Sequence, residues 1–195
     1  MVRIAILISG RGTNMEALVN AINDGKLLAE VCFVGSDNEN AVGLQIARDF
    51  GLKTITFSYE ESEGKNSLKD KAEEAILQAI HENKADWLVL AGFMRVLSKS
   101  FVRHMKERIV NIHPSLLPSF KGTRAIKDAL EYGVKVTGVT VHLVDEFVDN
   151  GKIIAQRAVE IEEGDTLEKL SERIHRIEHS LYHETLSKLF AKRGE

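Results

Sequence analysis

The feature that most constrains the fold is a regular alternation of short apolar runs with amphipathic stretches. The runs are rich in β-branched residues, and several are apolar almost throughout, which is typical of strands buried on both faces. Strands that alternate with helices favour right-handed crossovers and a parallel sheet covered by helices on both sides. We therefore expect an α/β fold with a doubly wound, mostly parallel sheet.

The predicted strands are Val2–Ser9, Glu30–Gly35, Lys53–Phe57, Trp87–Ala91, Ile109–His113, Val139–Val144 and Ile153–Ile161. The helices predicted between the first five are Thr13–Asp24, Ala41–Phe50, Ser67–Glu82 and Ser98–Met105. The rhythm then changes, because a helix over Thr123–Glu131 is followed by two strands with no helix between them, which predicts a mixed C-terminal edge. A last amphipathic helix, opening at Gly164-Asp165-Thr166, would dock its apolar stripe on the sheet.

Composition excludes several classes of protein. With 44% hydrophobic and 28% charged residues, the 195-residue chain is not disordered. The formal net charge of −3, without a block of Lys or Arg, argues against nucleic acid as a partner, and no apolar run is long enough to span a membrane. The single cysteine, Cys32, indicates a reducing compartment and is expected to be a buried structural thiol. We therefore expect a cytoplasmic protein.

A glycine-rich turn, Ser9–Asn14, joins the first predicted strand to the first helix. Thr13 and Glu16 have the spacing of a capping box, and the N–H groups at such a helix start suit a phosphate. The turn is not a dinucleotide fingerprint, because Met15 stands where the third glycine would be. Asp37 is interpreted as a turn residue and not as a ribose ligand. A monophosphate is therefore favoured over NAD, although many strand-to-helix turns contain glycines for purely structural reasons.

A second candidate site surrounds the end of the fifth strand. Asn111 and His113 lie two residues apart and therefore point to the same face, at the carboxyl end where doubly wound sheets bind ligands. An amide can donate to a developing oxyanion, and an imidazole can hold or give a proton near neutral pH. The acidic turn over residues 145–151 could bring a carboxylate against His113 and stabilise its protonated form. A structural histidine at a turn is the alternative.

Five motifs give the chain a resemblance to the folate-dependent phosphoribosylglycinamide formyltransferases. In chain order they are SGRGTN at Ser9–Asn14, LAGFMRVL at Leu90–Leu97, NIHPSLLP at Asn111–Pro118, GVTVHLVDEFVD at Gly138–Asp149 and IEHSLY at Ile177–Tyr182. The resemblance covers essentially the whole chain, and NIHPSLLP is specific for enzymes that use 10-formyltetrahydrofolate. It implies a Rossmann-like fold and direct transfer of the formyl group to the amine of 5'-phosphoribosylglycinamide in purine biosynthesis.

The resemblance also implies roles for individual residues. Asn111, His113 and Asp149 would be catalytic, Gly12, Thr13 and Asn14 would bind the substrate phosphate, and Glu178 would contact the glycinamide. Met94, Arg95, Val96 and Leu97, together with Asn111, would line the folate pocket. We expect one domain over residues 1–195, with a phosphate-binding half over 1–108 and a catalytic half with the C-terminal helix over 109–195.

Two segments depart from patterns found in some members of the family. Gly122–Ile126 stands where some members have histidines, so its substrate contacts stay open. Other members hold the folate with an arginine before the third helix, where this chain offers Lys65 or Lys69. His175, His179 and His183 recur every four residues, but on one straight helix they splay too far to close a metal site, so no metal is expected.

Three other functions compete with the transferase. A formyltetrahydrofolate hydrolase shares the NIHPSLLP-like loop but usually carries an additional N-terminal domain. A methionyl-tRNA formyltransferase needs a tRNA-binding domain, for which 195 residues leave no room. A non-catalytic phosphosugar-binding module would explain the glycine turn, but it would not account for Asn111, His113 and Asp149 together. The expected partners are small-molecule substrates, with neither nucleic acid nor membrane, in a monomer or a homodimer.

Overall fold

The structure is a computed structural model that describes residues 1–59 and 68–191. Its strands are β1 Val2–Ile8, β2 Ala29–Ser36, β3 Thr54–Thr56, β4 Trp87–Leu90, β5 Ile109–His113, β6 Val136–Leu143 and β7 Ile153–Glu160. Its helices are α1 Thr13–Asn23, α2 Val42–Asp49, α3 Leu68–Glu82, α4 Lys99–Met105, α5 Ala125–Tyr132 and α6 Leu167–Ala191.

The seven strands form one sheet in the order β3-β2-β1-β4-β5-β6-β7. Strands β1 to β5 pair in parallel, whereas β6 runs antiparallel to β5 and β7 runs antiparallel to β6. The predicted α/β class and the mixed C-terminal edge are thereby confirmed. Strand β6 begins at Val136, earlier than the predicted Val139, because its first residues pair with the end of β7, where Val136 lies opposite Glu160.

Two apolar layers lie on opposite faces of the sheet, as the alternation of side chains in β1 shows. Ile4, Ile6 and Ile8 pack on the side of α1 and α6, and Ala5 and Leu7 pack on the side of α3 and α4. All five side chains are fully buried. Burying one large aliphatic side chain stabilises a fold by about 1.5–3 kcal/mol, so the central strand anchors both layers.

The start of α1 differs from the predicted capping box. The N-cap residue is Gly12, in the left-handed region at φ 74°, and no side chain caps the helix. The reason is a close approach between two glycines: a Cβ on Gly12 would lie 2.8 Å from the Cα of Gly43, and the Gly43 N–H donates to the Gly10 carbonyl at 3.0 Å. Thr13 is therefore the first helical residue, and the capping-box prediction is wrong.

Cys32 lies in β2 and is half-buried, so the expectation of a buried thiol is met only in part. Strand β3 pairs with β2 only from Val34 to Ser36, so no neighbouring strand covers that edge at Cys32. The burial that does exist raises the pKa of the Cys32 thiol, which keeps it protonated and unreactive.

None of the helices in the described part of the chain combines the length and the apolar character that crossing a lipid bilayer requires.

Candidate active site

One pocket opens at the carboxyl ends of β4 and β5 and is closed on its far side by the turn after β6. Its lining includes Asn111 and His113 of β5 and His142 of β6, together with Asp149 of the turn and the segment Met94–Leu97 that follows β4. The predicted catalytic residues and the predicted folate segment therefore lie around the same cavity. Ligands of doubly wound sheets bind at this end of the strands.

The ring of His113 is held on both sides by protein groups. Its Nε2 lies 2.8 Å from the carbonyl oxygen of Phe120. Because a carbonyl can only accept, Nε2 carries a proton and donates it. The Nδ1 atom lies 3.5 Å from Oδ2 of Asp149, and both side chains are largely buried. The proton that His113 could exchange with a ligand is therefore the one on Nδ1.

The loop after β5 places the Phe120 carbonyl through bonds to the antiparallel strands. Thr140 of β6 donates through Oγ1 to the Ser115 carbonyl at 2.7 Å and accepts from the Leu117 N–H at 3.1 Å. Gln156 of β7 donates to the Leu117 carbonyl at 3.0 Å. The two prolines of NIHPSLLP thus stiffen a loop that is also pinned to the sheet, with a cis peptide bond before Pro118.

Asp149 stands at a positive φ of 47° and turns its carboxylate into the pocket wall, where Oδ2 accepts from the Gly122 N–H at 2.8 Å. The bonds that hold its own turn come from Asp145 instead, which accepts from the Phe147 N–H at 2.9 Å and from the Asn150 amide at 3.1 Å. Asp149 is therefore not needed to form the turn. In the segment Gly122–Ile126, this Gly122 contact and the position of Gly122 and Thr123 in the pocket lining connect the segment to the candidate site.

Sequence reasoning missed His142, which lies directly opposite Asn111 in the antiparallel pairing of β5 and β6. His142 Nδ1 donates to the Leu143 carbonyl at 2.8 Å, so Nε2 of the neutral ring accepts from Asn111 Nδ2 at 3.2 Å. Burial lowers the pKa of His142, which keeps the ring neutral. His142 thereby fixes which end of the Asn111 amide donates. Pairing β6 antiparallel to β5 would have revealed it.

The mouth of the pocket is apolar and exposed. Met94 and Val96 are each 59% exposed on one side, and Phe147 and Val148 are exposed on the other. The ammonium of Lys99 lies 5.2 Å from the centre of the Phe147 ring and links α4 to the turn. Exposed apolar rims around a few convergent polar groups are typical of small-molecule sites, and flat aromatic ligands suit them.

Arg95 adds one cation to this mouth. Its Nε donates to Oδ2 of Asp37 at 2.6 Å, and its guanidinium carbon lies 5.1 Å from the centre of the Tyr59 ring. Asp37 lies in the bend after β2, next to the turn where it was predicted, but the side-chain bonds of this turn come from Ser36 Oγ and Asn38 Oδ1. The Asp37 carboxylate is therefore free to leave the turn and pair across the sheet with the segment after β4.

The glycine turn borders this pocket without lining it. Ser9 Oγ accepts from the Met94 N–H at 2.8 Å, and the Ser9 N–H donates to the Gly92 carbonyl at 3.0 Å, so the turns after β1 and β4 are joined. Thr13 is exposed at the start of α1. Of the predicted ligands, Gly12, Thr13, Asn14 and Glu178 do not line the cavity that holds His113.

Glu178 of α6 is buried against the start of α1. Its Oε2 accepts from Asn14 Nδ2 at 3.2 Å and lies 2.8 Å from Nδ1 of His175. This hydrogen bond raises the pKa of His175, whereas burial and the charge of Arg11 lower it. The Asn14 Oδ1 atom is buried without a hydrogen-bond partner among the described residues. The predicted phosphate turn and the predicted glycinamide ligand therefore meet through Asn14.

Comparison with known proteins decides the family. A model of the formyl transferase family matches residues 2–186. This chain belongs to the formyl transferase family. The phosphoribosylglycinamide formyltransferase of Bacillus subtilis is 37% identical over 197 residues, which cover 100% of this chain and 99% of that protein. The resemblance seen in the sequence is thereby confirmed.

Solved structures agree with the formyl transferase assignment. The phosphoribosylglycinamide formyltransferase of Bacillus halodurans superimposes with a TM-score of 0.92 at 42% identity, covering 98% of this chain and 96% of that one. The chain also matches the trifunctional purine biosynthetic protein adenosine-3 of Gallus gallus, at 45% identity over 93% of this chain, but it spans only 18% of that protein.

Of the three histidines that recur along α6 in this formyl transferase, two form hydrogen bonds with protein groups through their rings. His175 pairs with Glu178, and His183 Nδ1 donates to the His179 carbonyl at 2.9 Å. His179 Nε2 is buried without a partner within the described ranges. Residues 1–59 and 68–191 contain no group of three or more His, Cys, Asp or Glu that could hold a metal ion. Lys65 and the side chain of Lys69 lie outside the described residues.

Proposed function

We propose that this formyl transferase moves the formyl group of 10-formyltetrahydrofolate to the primary amine of 5'-phosphoribosylglycinamide in de novo purine biosynthesis. The observation that carries the proposal is the convergence of Asn111, His113 and Asp149 on one pocket with an apolar mouth. An amide donor, a proton-bearing ring and a carboxylate are the groups that acyl transfer to an amine requires.

The residues around the pocket fit a folate. The apolar side chains of Met94, Val96 and Val148 would cover the faces of its ring system, and Arg95 would meet its terminal carboxylates. When bound, the folate supplies the formyl carbon that the amine attacks. Leu97 and Asn111 complete the same wall of the pocket.

We assign to Asn111 the role of hydrogen-bond donor to the formyl oxygen. One N–H of its Nδ2 is directed to His142, and the second remains available to donate as negative charge develops on that oxygen. Because His142 is buried and neutral, the amide is held in the donating orientation before any ligand arrives. A donor fixed in advance needs no reorganisation during the reaction, which is why such groups contribute strongly to catalysis.

We assign proton transfer during the reaction to His113 and Asp149. A protonated His113 ring, with the Asp149 carboxylate 3.5 Å from its Nδ1, would stabilise the charge of the developing oxyanion. The attacking amine loses a proton to Asp149, directly or through one water. That proton returns to the folate nitrogen when its bond to the formyl carbon breaks, so tetrahydrofolate leaves. The described residues that line the pocket include no serine or cysteine, and Ser115 Oγ donates to the Ser119 carbonyl at 2.5 Å. The proposal therefore contains direct attack and no covalent enzyme intermediate.

The ribose phosphate is assigned to the glycine turn. Backbone N–H groups at the start of a helix have no partners within the helix and carry partial positive charge, which suits a phosphate. Gly12, Thr13 and Asn14 supply that start, and Glu178 lies behind it. In this proposal the half over 1–108 binds the phosphate and the half over 109–195 carries the catalytic groups.

The proposal requires no protein or nucleic-acid partner, because the assigned residues all come from one chain; a monomer or a homodimer would serve. It places the enzyme in the cytoplasm, where Cys32 would stay reduced.

The direct test is an assay of folate release. Purified protein receives 10-formyltetrahydrofolate with and without phosphoribosylglycinamide, and tetrahydrofolate is measured. We expect release only with the amine present. Release without the amine would indicate a hydrolase, and absence of release would favour a phosphosugar-binding module. Asn111→Ala should abolish most of the release, whereas Asn20→Ala, an exposed asparagine on α1, serves as the matched control.

A further inference from the structure

A second cleft lies beside the folate pocket, and Arg95 belongs to both. The cleft is lined by Ser9, Asp37, Tyr59 and Arg95, together with the turn over residues 38–40. Arg95 therefore stands at the boundary between the two cavities. The contacts that fix the orientation of the Arg95 side chain therefore also decide which of its N–H groups face the mouth of the folate pocket.

The two partners of Arg95 differ strongly in exposure. The Asp37 side chain is 6% exposed, whereas the Arg95 side chain is 49% exposed. An exposed arginine has many accessible rotamers, whereas a side chain that is largely buried has fewer. The contact from Arg95 Nε to Asp37 Oδ2, at 2.6 Å, therefore ties a half-exposed cation to a largely buried anion.

Tyr59 restricts the guanidinium from a second direction. Its ring lies 5.1 Å from the guanidinium carbon, within the range of a cation–π contact, and packs edge-on against Phe93 with 6.4 Å between ring centres. Burial, together with the carboxylates of Glu73 and Asp37, raises the pKa of the Tyr59 hydroxyl, so the ring stays neutral. The Tyr59 face and the Asp37 carboxylate together define one position for the cation.

The contact with Asp37 occupies one nitrogen of the guanidinium. Arginine carries its N–H donors on three nitrogens, and the pair of terminal nitrogens forms the edge that binds a carboxylate with two parallel hydrogen bonds. No hydrogen bond joins the terminal nitrogens of Arg95 to another of the described residues. The arrangement therefore holds Arg95 by Nε and leaves its carboxylate-binding edge available.

We propose that Asp37 is a positioning residue that holds Arg95 so that its terminal nitrogens bind the glutamate carboxylate of the folate donor. The inference rests on the proposed function in that it takes a folate as the ligand. Asp37 does not touch the folate, and its contribution is the orientation of Arg95 before binding. Fixing one long side chain in advance should increase the affinity about two- to tenfold.

A different role for Asp37, in which it only neutralises the charge of Arg95, predicts the opposite change in folate affinity. If Asp37 only offset the positive charge of Arg95, its removal would strengthen the binding of an anionic ligand. The half-exposed position of Arg95 limits that effect, since solvent screens the charge of an exposed side chain. Solvent does not screen the effect of orientation. We therefore expect that effect to decide whether Asp37→Ala binds tetrahydrofolate more weakly or more tightly.

The test measures binding and does not depend on catalysis. Dissociation constants of tetrahydrofolate and of tetrahydropteroate, which lacks the glutamate, are measured by calorimetry for the unmodified protein and for Asp37→Ala. We expect Asp37→Ala to weaken tetrahydrofolate binding about two- to tenfold and to leave tetrahydropteroate binding unchanged. Glu39→Ala is the matched control, because Glu39 is an exposed acid of the same cleft and forms neither a hydrogen bond nor an ion pair with Arg95.

Two further variants keep the test decisive. Asp37→Asn retains an acceptor for Arg95 Nε and should show a smaller loss, and it replaces Asp37→Ala if that variant fails to fold. In an Arg95→Ala background, Asp37→Ala should have no further effect on tetrahydrofolate binding. Equal weakening of both ligands, unchanged binding or tighter tetrahydrofolate binding in Asp37→Ala would each overturn the proposal. Failure of formyl transfer in the assay above would overturn the proposed function without deciding this result.

Discussion

His113 Nδ1 faces Asp149 Oδ2 at 3.5 Å, although Asp149 takes no part in the hydrogen bonds that shape its own turn. A carboxylate that does not hold its own turn, but lies beside an imidazole and accepts from the Gly122 N–H, indicates a chemical role. The separation also leaves space for Asp149 to approach either the ring or a bound water. Each part of this arrangement can be tested separately.

Asp149→Asn should lower kcat by roughly 10²–10⁴-fold, the usual size of a general acid or base contribution. The amide keeps the size of the side chain but removes the negative charge beside His113 and the group that accepts the proton of the amine. The KM values of both substrates should change little, because neither ligand has its main anchor at Asp149. Steady-state kinetics and thermal unfolding measure both effects on the same preparation.

Asp145→Ala is the control from the same turn. It removes the bonds to the Phe147 N–H and the Asn150 amide, so it should lower the unfolding midpoint and keep most of kcat. A structural role for Asp149 would reverse the two results, giving Asp149→Asn near-normal turnover and reduced stability.

His142→Leu should lower kcat roughly tenfold, which is less than the roughly 10²–10³-fold loss expected for removing an oxyanion donor outright. The substitution leaves Asn111 Nδ2 without its partner, so the amide can rotate and present its oxygen to the pocket. An Asn111→Ala variant supplies the comparison. If His142 acts through Asn111, adding His142→Leu to Asn111→Ala should cause no further loss of kcat.

Thr13→Ala should raise the KM of phosphoribosylglycinamide more than that of the folate, because the start of α1 is assigned to the phosphate alone. Thr13 is exposed, so the variant should fold normally. Gly12→Val is unsuitable for this purpose, since its positive φ and the 2.8 Å approach to Gly43 would strain the fold. Asn20→Ala, further along α1, is the control. Equal changes in both KM values would contradict the phosphate assignment.

The pH dependence of stability should report the pair His175–Glu178. The hydrogen bond to Glu178 raises the pKa of His175 in the folded protein, so protonation at this site favours folding. The contribution is complete below the unfolded pKa of about 6.5 and disappears as pH rises through the higher folded value. His175→Gln should therefore reduce the free energy of unfolding at acidic pH and change it little in alkaline buffer.

Urea unfolding at about pH 5.5 and about pH 9 measures this difference. Glu178→Gln should remove the same pH dependence of stability, because it takes away the carboxylate that raises the pKa of His175. A loss of stability in His175→Gln that is equal at both pH values would show that packing, and not charge, accounts for it.

The sequence alone determined the parts of this protein that depend on short-range pattern. Apolar runs such as Val2–Ile8 and the alternation of helices with strands predicted the sheet, since the side-chain periods of strands and helices are local properties. The two-residue spacing of Asn111 and His113 placed both at one carboxyl end for the same reason. The motif NIHPSLLP and four others identified the family, because family motifs are read along the chain.

Tertiary structure decided which distant residues meet. The antiparallel return of β6 sets His142 opposite Asn111, and the path of the glycine turn past Gly43 makes Gly12 the N-cap of α1. Asp37 and Arg95 are 58 positions apart in the chain. They meet because β1 alone lies between β2 and β4 in the sheet and all three strands end at the same edge. Such contacts depend on strand order and register, and these arise when the whole chain packs its apolar faces together.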